Sequence, residues 1–267
     1  MLSISIVAYK TNIEIFERAL DSVYVSLSQN SSFLQHSKII IIDNGNQKNI
    51  ICSIVKTYIE NGLQINIISS MNNIGYGRAH NLAILNSPFK YHLILNPDVI
   101  LSSDVLKLGL EYLEMNSDIA AISPKCFDVN NNVQYIAKTY PNIFVLLVRG
   151  IAPKFIKKIF DKKLSKYEVR QIVDKDKISE IEIMSGCFML CRTEALKEIN
   201  GFDDRYFLYF EDFAMSIELR RLGRLMHVPS MKIIHFGGNA SRKGMFHIFF
   251  FISSGLKFFN RYGWKFL

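Results

Sequence analysis

The chain is short of several things that would place it in other protein classes. Only four of its 267 residues are cysteine (Cys52, Cys126, Cys187 and Cys191), and no two of them form a CxxC pair. Cys187 and Cys191 sit in an apolar run and read as buried thiols rather than ligands, in keeping with a reducing cytosol. The first ten residues alternate like a strand and lack the basic n-region of a signal peptide. No apolar run is long enough to span a bilayer; the longest near the end, residues 245–252, includes a histidine. There is no internal repeat and no low-complexity tract. Acid is missing altogether from residues 242–267.

What is present suits a folded domain. An apolar fraction of 49% with 21% charged residues can bury a large core, and the length fits one α/β domain with an elaboration or two small domains. The net charge is +8, unevenly spread. Residues 149–177 carry ten Lys/Arg against four Asp/Glu, and residues 242–267 carry five Lys/Arg, so the remainder is slightly acidic. Two late basic segments therefore call for an anionic partner or surface. They lie beside apolar helical patterns rather than aromatic-interleaved strands, which argues against nucleic acid.

Apolar spacing predicts alternating strands and helices. Strands are expected at 2–8, 38–42, 65–69 and 91–95. The pattern of Ile13, Phe16, Leu20, Val23 and Leu27, after a capping box at Thr11–Glu14, predicts a first helix. Ile50, Ile51, Ile54, Val55 and Tyr58 predict a second, stopped by Gly62, and residues 77–86 a third. Such alternation implies a parallel sheet with right-handed crossovers, whose ligands lie at the carboxyl ends of strands. Asp43 and Asp98 both fall there and should share a crevice. Beyond a strand at 119–124 the pattern changes. A hairpin-like turn is expected at 127–133, a basic helical insertion at 142–178, strand character at 181–191, helices at 193–199 and 212–222, and a short strand at 231–235. The last segment reads as an aromatic-rich helix with a basic edge, suited either to a membrane surface or to a core with one solvated face.

Several positions can carry chemistry, each beside a plainer role. Asp98 of Asn96-Pro97-Asp98 can offer one oxygen to Mg²⁺ or Mn²⁺, or serve as a turn aspartate. Asp43-Asn44-Gly45 is a turn signature. The loop Asn72-Asn73-Ile74-Gly75-Tyr76-Gly77-Arg78 opens a helix whose backbone donors, with Arg78, can meet phosphate, or it is simply a tight βα loop. Glu211-Asp212 begins a helix, where acids complement the dipole, yet it sits among Phe207, Tyr209, Phe210 and Phe213. Burial of that kind raises a carboxyl pKa. His235 closes an apolar run before a glycine pair, as a packed residue or as a ligand.

Taken in order, these pieces resemble the family 2 glycosyltransferases of the GT-A fold, in particular bacterial rhamnosyltransferase-like members that build surface polysaccharides. The residues that carry the resemblance are Ser5-Ile-Val-Ala-Tyr9, Ile42-Asp43-Asn44, Asn72 to Asn81, Leu95 to Asp98, Ser185-Gly186, Gly201 to Asp212 and His235-Phe-Gly-Gly, spanning about 3–240. The resemblance implies an α/β, mostly parallel sheet flanked by helices, a domain over 1–240 and a C-terminal amphipathic helix over 241–267. It implies a donor site formed by Ala8, Tyr9, Asp43, Asn72, Gly75, Gly77, Arg78, Asn96 and Asp98, with Asp43 on the nucleobase. Asp98 and His235 would hold Mg²⁺ or Mn²⁺, Asp212 would be the general base with Glu211 beside it, and Gly186 and Tyr209 would face the acceptor.

The reaction implied is inverting transfer, most simply of L-rhamnose from dTDP-rhamnose, to a lipid-diphosphate-linked glycan of an O-antigen or capsule. The enzyme would work in the cytoplasm against the anionic inner face of the membrane. Rival readings are a UDP-hexose transferase of the same fold and a non-catalytic nucleotide-sugar-binding homologue. Two departures stand out. Ala214 occupies a position where members commonly carry another aspartate, and Asn96 stands where a stricter Asp-x-Asp would place one.

Overall fold

In the computed structural model, which describes residues 1–237 and 245–267, the first strand, β1 (Leu2–Ala8), is buried along its whole length. A strand apolar on both faces belongs inside a parallel sheet covered by helices on either side. Helix α1 (Ile13–Ser28) starts one residue later than the expected capping box would have it: Asn12 is the cap, its side chain accepting from the Ile15 N–H. Thr11 instead turns its hydroxyl to the Tyr9 N–H at 3.1 Å. The chain continues through α2 (Ser31–Gln35), β2 (Ser37–Asp43), α3 (Lys48–Glu60), β3 (Gln64–Ser69), α4 (Tyr76–Ile84) and β4 (Tyr91–Leu95). Gly62, with φ +91°, ends the α3 unit as expected. The strands β3-β2-β1-β4 lie side by side and parallel.

The second half is mixed. It comprises β5 (Val99–Leu101), α5 (Val105–Met115), β6 (Ile119–Phe127), β7 (Val133–Gln134) and β8 (Ala137–Lys138). Helices α6 (Ile143–Ile151), α7 (Lys154–Ile159), α8 (Asp161–Tyr167) and α9 (Arg170–Val173) form the basic insertion. Then come β9 (Ser179–Glu180), β10 (Ile183–Met184), β11 (Phe188–Arg192), α10 (Thr193–Glu198), α11 (Glu211–Leu219), β12 (Arg224–His235) and α12 (Met245–Tyr262). The full sheet runs β3-β2-β1-β4-β11-β6-β12-β5, with β11 antiparallel to both β4 and β6. Two features depart from the expected pattern. β5 and α5 lie outside the elements that spacing suggested, and the strand expected at 181–191 is two strands in different sheets. The break at Ser185–Cys187 arises because Met184 pairs with Ala137 of β8 while Phe188 pairs with Leu95.

Helices cover both faces. On one side Phe16, Leu20 and Val23 of α1 and Leu106, Leu110 and Leu113 of α5 pack on Ile4, Ile6, Leu93 and Leu95. On the other, Ala79 and Ala83 of α4 meet Val7, Ile40 and Ile42, while Leu196 of α10 and Met215 of α11 meet Ile94 and Met189. The result is a three-layer α/β arrangement with the strand carboxyl ends free for a site. The expected domain boundary at 240–241 lies outside the described residues, as do Gly238 and Asn239.

Candidate active site

The donor side is built at the ends of β1 and β2. Register pairs Ala8 with Asp43, and the Asn44 N–H donates to the Ala8 carbonyl at 2.8 Å. Asp43 is buried, and its Oδ1 accepts from the N–H groups of Gly45 and Gln47 at 3.1 and 2.9 Å, so the turn role is realised on that oxygen. Tyr9 is exposed, and its backbone lies where a Cβ on Gly45 would meet it at 3.1 Å.

Asn44 and Asn73, which the sequence motifs contain without marking as functional, hold the glycine loop. Asn44 Nδ2 donates to Asn73 Oδ1 at 2.8 Å, and Asn44 Oδ1 accepts from the Ile74 N–H at 3.0 Å. Asn73 Oδ1 also accepts from the Gly75 N–H at 3.0 Å. Asn72 is exposed, and its carbonyl accepts from the Ser70 hydroxyl. Gly75 has φ +92°, and a Cβ there would lie 2.6 Å from the Phe207 carbonyl oxygen. Only glycine suits both constraints. Gly77 abuts Phe202, where a Cβ would approach to 2.7 Å. The Arg78 guanidinium donates twice to the Asp204 carbonyl, at 3.0 and 2.7 Å. That side chain joins the loop to the segment leading to Glu211.

A second group forms around Asp98, just past β4. Antiparallel register sets His235, the last residue of β12, opposite Val99, which brings His235 Nε2 to 3.4 Å from Asp98 Oδ1. Gln134 of β7 orients the ring. Its Nε2 donates to the His235 carbonyl at 3.0 Å and the Gly237 carbonyl at 3.3 Å, which turns its Oε1 to His235 Nδ1 at 3.2 Å. In the neutral imidazole the proton then sits on Nδ1 and the Nε2 lone pair faces Asp98. Gly237 leaves the space open, since a Cβ would stand 2.5 Å from Asp98 Oδ2 and 3.0 Å from His235 Nε2. A carboxylate oxygen facing an imidazole lone pair, beside a glycine, fits a divalent cation bound by two protein ligands with phosphate and water completing the shell. No cluster of three or more His, Cys, Asp or Glu occurs among the described residues. Asn96 is half-buried, its N–H donating to the Cys187 carbonyl at 2.9 Å.

The third group is the carboxylate pair. Tyr209 (φ +67°) and Phe210 (φ +64°) take two successive left-handed conformations, costly for residues with side chains, and so launch α11 at Glu211. Phe210 is kept there by ring contacts with Phe251 and Phe258 at centroid distances of 5.1 and 5.2 Å. Asp212 Oδ2 accepts from the Gly186 N–H and Oδ1 from the Phe213 N–H, both at 3.0 Å. Burial raises the Asp212 pKa to about 6, the N–H donors of Gly186 and Phe213 restraining the rise. Glu211 is more deeply placed, and its Oε2 has no hydrogen-bond partner among the described residues. Burial first, then the neighbouring Asp212 charge, pushes its pKa well above the ordinary carboxyl value. Of the two, Asp212 gives up its proton first.

Asp98 and Asp212 both act on Cys187. Burial pushes the Cys187 thiol up to about 12, and the charges of Asp98 and Asp212 both add to the rise. Tyr76, missed by sequence reasoning, ties the groups together: its hydroxyl donates to the Gly186 carbonyl at 2.6 Å, and its N–H to the Phe207 carbonyl at 3.1 Å. Gly186, expected at the acceptor, is thus gripped from both sides, by Tyr76 through its carbonyl and by Asp212 through its N–H. The Tyr209 hydroxyl bonds His247 Nδ1 at 2.7 Å. Ala214 is buried in the aromatic cluster of Tyr206, Phe210, Phe258 and Phe259, a place with no room in its chemistry for another carboxylate.

A helix-flanked sheet that carries a glycine loop, a metal-suited pair and a paired carboxyl base at its strand ends defines a glycosyltransferase. Residues 3–199 match the family model of glycosyl transferase family 2, and the chain belongs to that family. That match ends before Glu211, Asp212 and His235, so their placement rests on the geometry. The chain is 27% identical over 219 residues to the rhamnosyltransferase WbbL of Escherichia coli (strain K12), covering 78% of this chain and 76% of WbbL. It is 24% identical over 209 residues to the N-acetylglucosaminyl-diphospho-decaprenol L-rhamnosyltransferase of Mycobacterium tuberculosis (strain ATCC 25618 / H37Rv), covering 74% of this chain and 66% of the relative. Among solved structures, GalNAc-T7 with UDP, GalNAc and Mn²⁺ superposes with a TM-score of 0.65 at 15% identity, over 89% of this chain and 43% of that one. TarS (1–349) of S. aureus in complex with UDP gives 0.58 at 15% identity, over 90% and 62%. The chain thus spans less than two thirds of either solved chain. The fold is GT-A.

Proposed function

We propose that the protein transfers L-rhamnose from dTDP-rhamnose, with inversion, to a hydroxyl of a lipid-diphosphate-linked glycan during assembly of a bacterial surface polysaccharide. Two relatives are rhamnosyltransferases by name, and the mycobacterial name points to a lipid-diphosphate acceptor. The observation that carries the reading is the buried carboxyl pair: Asp212 aimed by the N–H groups of Gly186 and Phe213, with Glu211, whose pKa burial raises further, behind it.

Asp212 takes the proton of the acceptor hydroxyl as that oxygen bonds to the anomeric carbon. The bond from that carbon to the diphosphate oxygen breaks, and its electron pair leaves with the nucleoside diphosphate. The raised pKa of Glu211 favours its neutral form beside the base, which limits the negative charge facing the donor diphosphate. Asp43 would recognise the nucleobase through the oxygen its turn leaves over, and the Asn72–Gly77 loop would lie along the diphosphate. Asp98 and His235 would hold Mg²⁺ or Mn²⁺, which when bound neutralises charge building on the departing diphosphate.

The test is nucleoside diphosphate release from a panel of donors with Mg²⁺, Mn²⁺ or EDTA. Release from dTDP-rhamnose alone, abolished by EDTA, is expected; release from UDP-galactose, UDP-glucose or UDP-N-acetylglucosamine instead would replace the donor. Asp212→Asn should lower turnover by about 10²–10⁴-fold with donor binding retained. Wild-type turnover should rise with pH through about 6, as Asp212 loses its proton. A wild-type chain that binds donor without turning it over would establish the non-catalytic reading.

A further inference from the structure

Helix α12 is apolar on both faces, and the fold uses only one of them. On the inner face Phe250 stacks on Phe207 at 4.7 Å, Phe258 packs on Phe210, and the Ser254 hydroxyl donates to the Leu208 carbonyl at 2.8 Å. On the outer face Phe249 (64% exposed), Ile252 (56%) and Leu256 follow one another at helical spacing, with Phe246 at 81% and Ile248 alongside. A helix apolar all round belongs inside something on every side, so the outer stripe calls for a cover.

The surface continues beyond the helix. The C-terminal tail, with exposed Trp264, Phe266 and Leu267, is joined to the start of α6 by bonds from the Ile143 N–H to the Lys265 carbonyl at 2.9 Å and from the Phe144 N–H to the Phe266 carbonyl at 3.2 Å. The neighbouring basic insertion exposes Phe155 and Ile159 between Lys154, Lys158, Lys162 and Lys163. Its residues 149–177 carry a surplus of six positive charges, and residues 242–267 carry five with no acid.

We propose that the outer face of α12, the C-terminal tail and the α6–α7 insertion form one docking surface for an anionic lipid bilayer. Exposed aromatics interleaved with lysines, with positive charge in surplus, match the boundary between acyl chains and anionic headgroups. A second copy of this chain would set the same positive charge against itself. No helix among the described residues is long and apolar enough to cross a membrane, so the helix would lie along the surface. Because the inner face of α12 packs on the segment that launches Glu211 and Asp212, docking would hold the base against the plane from which a lipid-linked hydroxyl is presented. That last consequence rests on the proposed acceptor; the docking itself does not.

Flotation of the full chain with vesicles of phosphatidylcholine alone, and of phosphatidylcholine mixed with phosphatidylglycerol, tests the surface by binding rather than turnover, so its outcome is separate from that of the donor assignment. The expected result is flotation with the mixed vesicles, released by added salt. Phe249→Ser with Ile252→Ser should lose at least about tenfold in binding, since two exposed apolar side chains no longer insert. Neutralising Lys154, Lys158 and Lys162 to Gln should cost on the order of a hundredfold with anionic vesicles, since each lysine near such a surface is worth about a fivefold factor. Equal and salt-insensitive flotation with both compositions, or none with either, would overturn the proposal on the wild-type chain alone. So would full binding by folded variants, or a dimer in sedimentation that dissociates in the Phe249→Ser, Ile252→Ser variant, which would give the face to a second copy.

Discussion

Gln134 does for His235 what Gly186 does for Asp212: each fixes the direction of an atom used by its neighbour. The Gln134 amide satisfies the His235 and Gly237 carbonyls with its N–H groups, which leaves its oxygen for Nδ1 and so assigns the lone pair to Nε2. Partners of this kind tune a ligand's orientation, and their loss typically weakens metal affinity about 10–100-fold. Gln134→Leu keeps the volume and removes the amide, so Mn²⁺ titrated calorimetrically in the presence of a nucleoside diphosphate should bind more weakly by that factor. Undiminished Mn²⁺ affinity would mean that the hairpin plays no part in orienting His235. The residues proposed to act were legible in the sequence because their types and positions advertise chemistry, as Asp98 does at a strand end and Asp212 in an aromatic run. The residues that aim them were not. Gln134 is one of six glutamines until β7 pairs with β6 and comes alongside β12, and Tyr76 looks like a helix-start aromatic until β11 brings Gly186 to its hydroxyl.

Glycines at the element joints separate a conformational cost from a contact cost. Gly62 and Gly75 both have a positive φ, +91° and +92°, yet a Cβ on Gly62 meets nothing within 4 Å while one on Gly75 meets the Phe207 carbonyl at 2.6 Å. Gly62→Ala should therefore cost only the strain of that conformation, about 1 kcal/mol, with donor affinity unchanged. Gly75→Ala must also push the loop away from the segment that carries Glu211 and Asp212. It should unfold more easily than Gly62→Ala and bind donor at least about tenfold more weakly, measured by thermal melts and donor titration. Equal effects of the two variants would show that the contact with Phe207 does not matter. The alternation of strands and helices over the first hundred residues was readable because each period is local. The break at 185–187 was not, since a continuous apolar run looks the same whether it serves one sheet or two. For α12 the structure shows one face completing the core and the other exposed; a membrane role for the exposed face is a proposal.

At the scale of the whole molecule, apolar periodicity found the parallel strands but not their neighbours. Nothing in the pattern says that β11 enters antiparallel between β4 and β6 and so unites the cleft. Nor does it show that His92 and His80, in a strand and a helix, join through Ser5 into one buried chain: His92 Nε2 lies 2.8 Å from the Ser5 hydroxyl, which lies 2.7 Å from His80 Nδ1, while Ser3 meets His92 Nδ1 at 2.6 Å. Burial lowers the His92 pKa to about 3 and that of His227 to about 4, and it lowers His80 well below its usual value, helped by His92. All three stay neutral in the folded protein under conditions where the unfolded chain takes up protons below about pH 6.5, so they withdraw stability as pH falls. Glu211 and Asp212 act the opposite way, because their raised pKa values let the folded state bind protons first. From about pH 6 to 5 the three histidines act against the two carboxyls, and the histidines, being more numerous, make the net effect a loss of stability as pH falls. His92→Gln removes one histidine from that balance, so its stability, measured by denaturant unfolding across the same interval, should fall less steeply with pH than that of the wild type. A His92→Gln slope as steep as that of the wild type would mean that the buried chain does not set the acid limit of the fold.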